Sequence, residues 1–392
     1  MSRVVKRHRV VLSVITLSVV ALATAFFAHG AQAGNPKSAV ETLSNESRTS
    51  ALEYWTPERL ASARPMPLPR ISAEDALGAN YIEEQAFGEP VSGEGRPPAA
   101  KLPASLGRRL LSPEQIRAIQ SNPAWSNDED ELVGNNVGTL GAHFSSTRVF
   151  PDAATTTYPY LTVGKLFFSI PGQGNFICSG SVLRPRVVLT AGHCVHSGSA
   201  NPGFHQNFMF VPAFNNNFAP AGVWDWQFVA APTAWTQGGG TFPNAQDIAM
   251  FEMEDLLVNG VQTRIGTITG FLGFTTLKLF PNHTTMLGYP ANHDNGNRMH
   301  QVNAESFNKV NPNSVQYGSD MRGGSSGGPW VQNFGVPAAG QTGGSNAATN
   351  RVVGVTSFGF VSTTPLAQGS SIPDSRFSTV LTTVCNHRAG NC

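Results

Sequence analysis

Leu161-Thr162-Val163-Gly164-Lys165-Leu166-Phe167-Phe168-Ser169-Ile170 is an apolar run rich in β-branched and aromatic residues, stopped by Pro171-Gly172. A run of this composition, bounded by turn residues, reads as a strand. Ser179–Leu183 and Val187–Thr190 follow in the same style, with Arg184-Pro185-Arg186 as the turn between them. Val352–Ser357 repeats the pattern near the end of the chain. From about Val149 onward turn signals recur about every ten residues, which predicts an all-β sandwich or barrel. No internal repeat is visible. One helix is expected close to the C-terminus, over Asp374–Val384, capped by Asp374 or Ser375.

The composition agrees. Only 13% of the 392 residues are charged and 40 are glycine, as in a β-rich exported protein rather than a helical one. A net charge of +1, with no Lys/Arg run interleaved with aromatics, gives no electrostatic basis for binding nucleic acid. At the N-terminus Arg3, Lys6, Arg7 and Arg9 precede an apolar run from Val10 to Phe27, and Ala31-Gln32-Ala33 supplies small residues for cleavage. Residues 1–33 are therefore expected to be a signal peptide removed after Ala33. The remainder is then secreted, extracellular or periplasmic, with no stable membrane association. Export makes disulfides the expected state of Cys178, Cys194, Cys385 and Cys392. Four cysteines allow three pairings, and their positions alone do not choose between them. No Cys/His cluster has zinc-ligand spacing, so no metal and no cofactor are expected.

Residues 34–142 differ from the rest, being rich in Pro, Ser, Ala and charge, and are expected to have little core of their own. Two helix starts stand out. Thr56-Pro57-Glu58-Arg59 offers an N-cap followed by proline in the first turn. Ser112, Pro113 and Gln115 form a capping box, with Leu111 placed to staple onto Ile116. The stretch from Gly88 to Pro103 reads as an exposed linker, and Asp128-Glu129-Asp130-Glu131 as a solvated acidic loop.

The residues that carry chemistry converge on Gly323-Gly324-Ser325-Ser326-Gly327-Gly328-Pro329-Trp330. So many glycines demand tight turns. They let a serine hydroxyl stand at a turn tip with backbone N–H groups converging beside it, as an oxyanion hole requires. Upstream, Val188-Leu189-Thr190-Ala191-Gly192-His193-Cys194-Val195 places His193 just beyond an apolar strand. Asp247 stands at the entry of another, Ile248-Ala249-Met250-Phe251. A carboxylate there must find a donor, and an imidazole N–H would serve. Asp225, between Trp224 and Trp226, is the rival carboxylate, but no uniform apolar strand follows it.

In the order His193, Asp247, Ser326 these parts resemble the chymotrypsin/trypsin-like serine peptidases, and closely the secreted microbial branch that includes the glutamyl endopeptidases. The resemblance runs from about Val149 to Val384. It rests on Cys178-Ser179-Gly180-Ser181, Leu189 to Cys194, Asp247-Ile248-Ala249-Met250, Leu287-Gly288-Tyr289-Pro290-Ala291, Asp320 to Trp330 and Val353 to Gly359. Tyr54-Trp55-Thr56-Pro57-Glu58-Arg59 resembles the prosegments of that branch. The resemblance implies two six-stranded antiparallel barrels with the site between them and a C-terminal helix. It divides the chain into a signal peptide (1–33), a prosegment (34–142) and a peptidase domain (143–392). It further implies His193 as general base, Asp247 as its orienting carboxylate and Ser326 as nucleophile, with Ser325 the alternative. Gly324 and Ser326 N–H form the oxyanion hole, and Ser357, Phe358 and Gly359 form the strand that pairs with substrate. The implied bridge Cys178–Cys194 leaves Cys385–Cys392 as the second. Protein or peptide substrates and a monomeric enzyme complete the expectation.

Three departures narrow it. Ser325 stands where digestive and clotting relatives carry Asp before the nucleophile, so an ion pair with a new N-terminal ammonium is not available there. Thr356 replaces the pocket histidine of glutamyl endopeptidases, which argues against acidic specificity. Ser319 stands where relatives often carry a cysteine, and the partner cysteine, near His300 or Gln301, is missing too. Asp320, six residues before Ser326, has the spacing of a trypsin-like pocket carboxylate suited to a substrate Arg or Lys. Two other readings use the same residues. One is a catalytically inactive binding module, since fold alone does not establish activity. The other is an exported esterase, whose Gly-x-Ser-x-Gly elbow Gly324–Gly328 matches. The chain order His, Asp, Ser is the reverse of that expected for the esterase.

Overall fold

The computed structural model describes residues 37–42, 50–72, 89–120, 138, 141–276, 279–310, 314–335, 349–360, 365–371 and 373–392. The expected signal peptide and the acidic run at 128–131 lie outside these residues. Among the described residues no helix is long and apolar enough to cross a membrane.

The N-terminal segment contributes short pieces that complete other layers. In order these are β1 (Ser38–Thr42), helices Ala51–Tyr54 and Pro57–Ser62, β2 (Arg64–Pro65), β3 (Arg70–Ile71), β4 (Ser92–Gly93), β5 (Arg108–Arg109) and helix Pro113–Gln120. The helix starts follow the capping chemistry. Thr56 Oγ1 accepts from Arg59 N, with Pro57 in the first turn. Ser112 N donates to Gln115 Oε1 at 2.8 Å while Gln115 N returns to Ser112 Oγ at 3.2 Å, satisfying two of the free N–H groups of a helix start. β4 falls within the stretch read as an exposed linker.

β6 (Phe144–Arg148) leads into the first barrel. β7 (Val163–Ile170), β8 (Gly174–Val182), β9 (Val187–Thr190), β10 (Gln206–Pro212), β12 (Trp224–Pro232) and β13 (Ala249–Met253) close on themselves. The order is β12-β10-β7-β8-β9-β13, with β13 returning to β12 through Val229↔Phe251 and Ala230↔Met250. All of β7 is buried, because both its faces are covered. Phe168 stacks inward on Phe176, while Phe167 meets Trp55 of the N-terminal segment edge-on at 5.6 Å. That double burial suits the largely apolar, non-alternating sequence of the strand, with Lys165 and Ser169 its polar members. β1 adds antiparallel to β12 and β2 parallel to β8. β11 (Phe218–Ala219) pairs β5, and β14 (Leu256–Val258) with β15 (Val261–Thr263) forms a side hairpin.

The second half contains β16 (Gly273–Thr275), β17 (His283–Gly288), β18 (His300–Val310), β19 (Ser314–Gly318), β20 (Pro329–Gln332), β21 (Arg351–Val355), β22 (Phe358–Phe360) and β23 (Ala367–Ser371). Here the expectation of a second closed six-stranded barrel is corrected. The sheet runs β3-β22-β23-β19-β18-β17-β20-β21-β16-β4, with β6 on β18, and among the described residues no pairing joins its ends. The reason is edge occupancy. The free edge of β22 is taken by β3, and that of β21 by β16, which pairs in turn with β4. Its core gathers Met286, Val302, Val315, Tyr317, Trp330 and Val353. The C-terminal helix, Ser375–His387, is capped by Asp374, whose side chain accepts from Arg376 N. It lies on the first barrel, with His387 stacked on Phe228 at 4.0 Å.

Candidate active site

β9 and β13 are antiparallel neighbours, with Ala249 opposite Thr190. That register brings the end of one strand against the start of the other. After β9 the chain makes one tight turn, Gly192–Cys194, which carries His193. Gly192 lets the turn approach closely, because a Cβ would lie 3.1 Å from Asp247 Oδ1 and 3.2 Å from Ile248 N. Asp247 is wholly buried and collects three donors. Its Oδ1 accepts from His193 N at 2.7 Å, and its Oδ2 meets His193 Nδ1 at 2.9 Å and also accepts from Ser357 Oγ. A buried carboxylate with this many donors has its desolvation offset, and the contact at Nδ1 leaves Nε2 as the free ring nitrogen.

Ser326 sits in a turn held from several sides. Gly324 and Gly327 have φ of +88° and +78°, and a Cβ on Gly327 would lie 2.1 Å from Thr190 Oγ1. Ser179 of β8 grips the turn twice, with Oγ donating to Gly324 O and N donating to Ser326 O, both at 2.8 Å. Ser325 Oγ points inward, donating to Arg322 O at 2.7 Å and accepting from Gln368 Nε2 at 3.0 Å. Ser326 Oγ and His193 Nε2, both buried, have no hydrogen-bond partner among the described residues. The structure thus joins Asp247, His193 and Ser357, while Ser326 and His193 make no hydrogen bond to each other. Gly324 N–H donates to Met66 O at 3.1 Å.

Asp320 is 2% exposed. His293 Nε2 lies 3.2 Å from its Oδ2. Burial by itself would raise its pKa, but the adjacent His293, together with Ser146 and the local backbone, outweighs this and holds the carboxyl below its ordinary range. His293 stacks on His300 at 4.7 Å. Phe358 and Gly359 lie in β22, and Ser357 just before it. Asp225, the rival carboxylate, is occupied elsewhere. It accepts from Ser50 Oγ at 2.7 Å and Ala51 N at 3.1 Å, anchoring the first helix of the N-terminal segment. Cys178 is bridged to Cys194, with Cα atoms 6.3 Å apart, and Cys385 to Cys392. Cys178, Cys194 and His193 cluster with the atom types of a metal site, but both sulfurs are spent in the disulfide, so no thiolate is left to ligate.

Ser179 and Gln368, which hold the nucleophile turn, were not singled out from the sequence. Ser179 and Gly324 are 145 positions apart, and Gln368 and Ser325 are 43 apart. The only local signal is that Ser179 lies in the Cys178–Ser181 stretch that carries the resemblance.

The family model described as trypsin matches residues 158–209, which include Cys178, His193 and Cys194. A glutamyl endopeptidase of Bacillus licheniformis is 27% identical over 177 residues, 45% of this chain and 50% of that protein. The chain thus spans about half the length of that curated relative. Among solved structures, the protease Anisep from Arthrobacter nicotinovorans is 27% identical, with 58% of this chain and 96% of that one covered at a TM-score of 0.47. The thermostable serine protease AL20 from an extremophilic microorganism is 25% identical, with 61% and 100% covered at a TM-score of 0.48. The trypsin match thus falls on the strands that carry the disulfide and His193, and the chain is similar to trypsin-like serine peptidases, a glutamyl endopeptidase among them.

Proposed function

We propose that the chain is a secreted serine endopeptidase, made as a precursor, that hydrolyses peptide bonds in proteins or peptides through His193, Asp247 and Ser326. One observation carries this reading: a fully buried Asp247 whose two oxygens hold both the backbone and the ring of His193. No purely structural role needs a histidine fixed through Nδ1 with Nε2 left free beside a serine turn. In the reaction His193 Nε2 takes the Ser326 proton as Oγ attacks the substrate carbonyl. Asp247 holds the imidazole tautomer and stabilises the imidazolium. The N–H groups of Gly324 and Ser326 receive the oxyanion, each contributing about 3 kcal/mol to the transition state. His193 then returns the proton to the leaving amine, and water attacks the acyl-enzyme by the same route. Residues 1–33 direct export, and 34–142 form the prosegment removed on maturation.

The experiment is labelling with a fluorophosphonate probe, which reacts only with an activated serine. The protein freed of its prosegment should be labelled and should cleave casein. Ser326→Ala should abolish both, and Ser325→Ala should keep most of the labelling. Labelling lost only in Ser325→Ala would put the nucleophile one residue earlier. No labelling in any form would leave the chain as a binding module.

A further inference from the structure

Arg64-Pro65-Met66-Pro67-Leu68-Pro69-Arg70 alternates proline with other residues. Proline fixes φ and pushes the residue before it toward extended geometry, so the segment is a stiff strand that loses little entropy when bound. It spans the space between barrel and sheet, directly over the nucleophile turn. At one end Arg64 and Pro65 pair parallel with Phe176 and Ile177 of β8, and Met66 N donates to Ile177 O at 2.9 Å. In the middle the Met66 carbonyl takes the Gly324 N–H. At the other end Gly359 N donates to Pro69 O at 2.7 Å, and Arg70 and Ile71 pair parallel with Gly359 and Phe360 of β22. Leu68 and Ile71 are each 4% exposed. Leu68 fills the space a side chain on Gly359 would need, with its Cδ2 2.6 Å from that position.

We infer that this cleft binds the chain's own Arg64–Ile71 as an inhibitory ligand, an extended proline-alternating peptide laid in the sense opposite to a substrate. The inference rests on the peptidase reading above. The residue that fills the specificity pocket supplies the acyl carbonyl, so the substrate residues N-terminal to the cleaved bond are those that pair with Ser357–Gly359. A substrate therefore runs its N-terminal half along β22 and its leaving half toward β8. The segment does the reverse: Arg64 and Pro65 lie on β8, and Pro69–Ile71 on β22. It takes both recognition groups, the oxyanion donor of Gly324 and the strand donor of Gly359. Yet the amide nitrogen attached to the Met66 carbonyl lies on the acyl side of the cleft. That nitrogen belongs to Pro67, which has no N–H and carries a ring carbon instead. The cleft is thus filled by a peptide it recognises and does not cut.

The test uses the full chain. Fluorophosphonate labelling of the uncleaved precursor is compared with labelling of the same preparation after limited proteolysis of its prosegment. Wild-type precursor should label slowly. Leu68→Asp, which places a charge on a buried contact, should label roughly tenfold or more faster before any cleavage. Leu68→Ala carries the same comparison, with a smaller gain, if the aspartate variant fails to fold. Pro67→Ala restores an ordinary amide after Met66, and mass spectrometry should find the bond between positions 66 and 67 intact after long incubation. A precursor that labels as fast as the processed protein would overturn the inhibition and leave the peptidase reading standing. Cutting at that bond in Pro67→Ala, absent when Ser326→Ala is added, would overturn the reversed sense. If neither precursor nor processed protein labels, the peptidase reading fails and this inference fails with it.

Discussion

Ser325 and Ser326 are adjacent and both wholly buried, yet their surroundings assign them opposite tasks. Ser325 Oγ is spent on Arg322 O and Gln368 Nε2, whereas Ser326 Oγ has no hydrogen-bond partner among the described residues. Ser325→Ala removes the acceptor of a buried amide and should cost about 1–3 kcal/mol of stability. A lowered melting temperature with probe labelling retained is the expected pair of results, and lost labelling at unchanged stability would contradict it. Asp320 can be tested with a peptide library. Its carboxylate is buried and held ionised beside His293, so a substrate Arg or Lys that reached it in place of His293 would gain a strong ion pair. Asp320→Ser should reduce cleavage after Arg and Lys by several orders of magnitude, because the substrate cation would be buried unpaired, and should leave apolar substrates nearly untouched. Equal losses on both substrate types would assign Asp320 to holding its loop, through His293 and through Asn292 Nδ2, which donates to the Asp320 carbonyl at 2.9 Å. At this scale the sequence was informative where chemistry sits in a short motif, as at His193 and Asp247. It was silent about Ser179 and Gln368, whose roles exist only once distant strands meet.

The element that places His193 is buttressed by another histidine. His205, just before β10, stacks on Phe168 with ring centroids 5.1 Å apart, and its Nδ1 lies 3.2 Å from the carbonyl of Cys194. It is 1% exposed, and burial, more than the nearby His196 and His193, pushes its pKa down to about 3. The unfolded chain takes up a proton at this residue near pH 6.5, and the folded one only near pH 3. Stability from this group is therefore complete above about pH 6.5 and is lost as pH falls toward 3, by a total on the order of 5 kcal/mol. His205→Gln keeps a donor for Cys194 O but does not titrate. Denaturant melts from pH 7 to 3 should give a shallower acid loss for the variant, from a lower starting stability. Identical slopes would mean that other groups set the acid limit. Elements with local signals were legible: the capping box at Ser112, the proline-led helix after Thr56 and strand β7 lie within a few residues of where the sequence placed them. Closure of the second sheet was not, because it depends on which strands occupy the edges of β21 and β22. β3 and β4 are two-residue strands, too short to leave a periodic signal.

For the molecule as a whole, the N-terminal segment is structural material for the two layers it joins. Trp55, Leu60, Ala63 and Leu111 belong to the same buried cluster as the barrel, and Trp55 Nε1 donates to Asn207 O at 2.7 Å. The sequence read this segment as having little core of its own. It could not register that each lone apolar residue has a waiting surface on the barrel. One of those surfaces carries a charge problem. Lys165 of β7 is 2% exposed, with Nζ donating to Gly296 O at 2.9 Å and lying 4.5 Å from the Phe214 ring centroid. Leu60, Ala63, Leu110, Leu111 and Ile116 of the N-terminal segment close the space around it together with Phe167 and Ile177. Burial lowers the Lys165 pKa to about 7, against about 10.4 for a solvated lysine. Docking of the segment therefore expels a proton between those two values. It should tighten as pH rises from about 7 to 10 and stay level below 7, where the lysine is charged in both states. Across the full window the effect approaches about 5 kcal/mol. Lys165→Met removes the buried amine at nearly constant volume, so docking should be tighter at neutral pH and lose its dependence on pH over that range. Hydrogen exchange of the amides of Trp55 and Leu60 in the full chain, corrected for intrinsic rates, reports the opening free energy directly. Wild-type opening that grows costlier toward pH 10, beside a level profile in Lys165→Met, is the expected result. Parallel profiles would show that the amine is equally dry with the segment in place or away, and that the linkage belongs to another group.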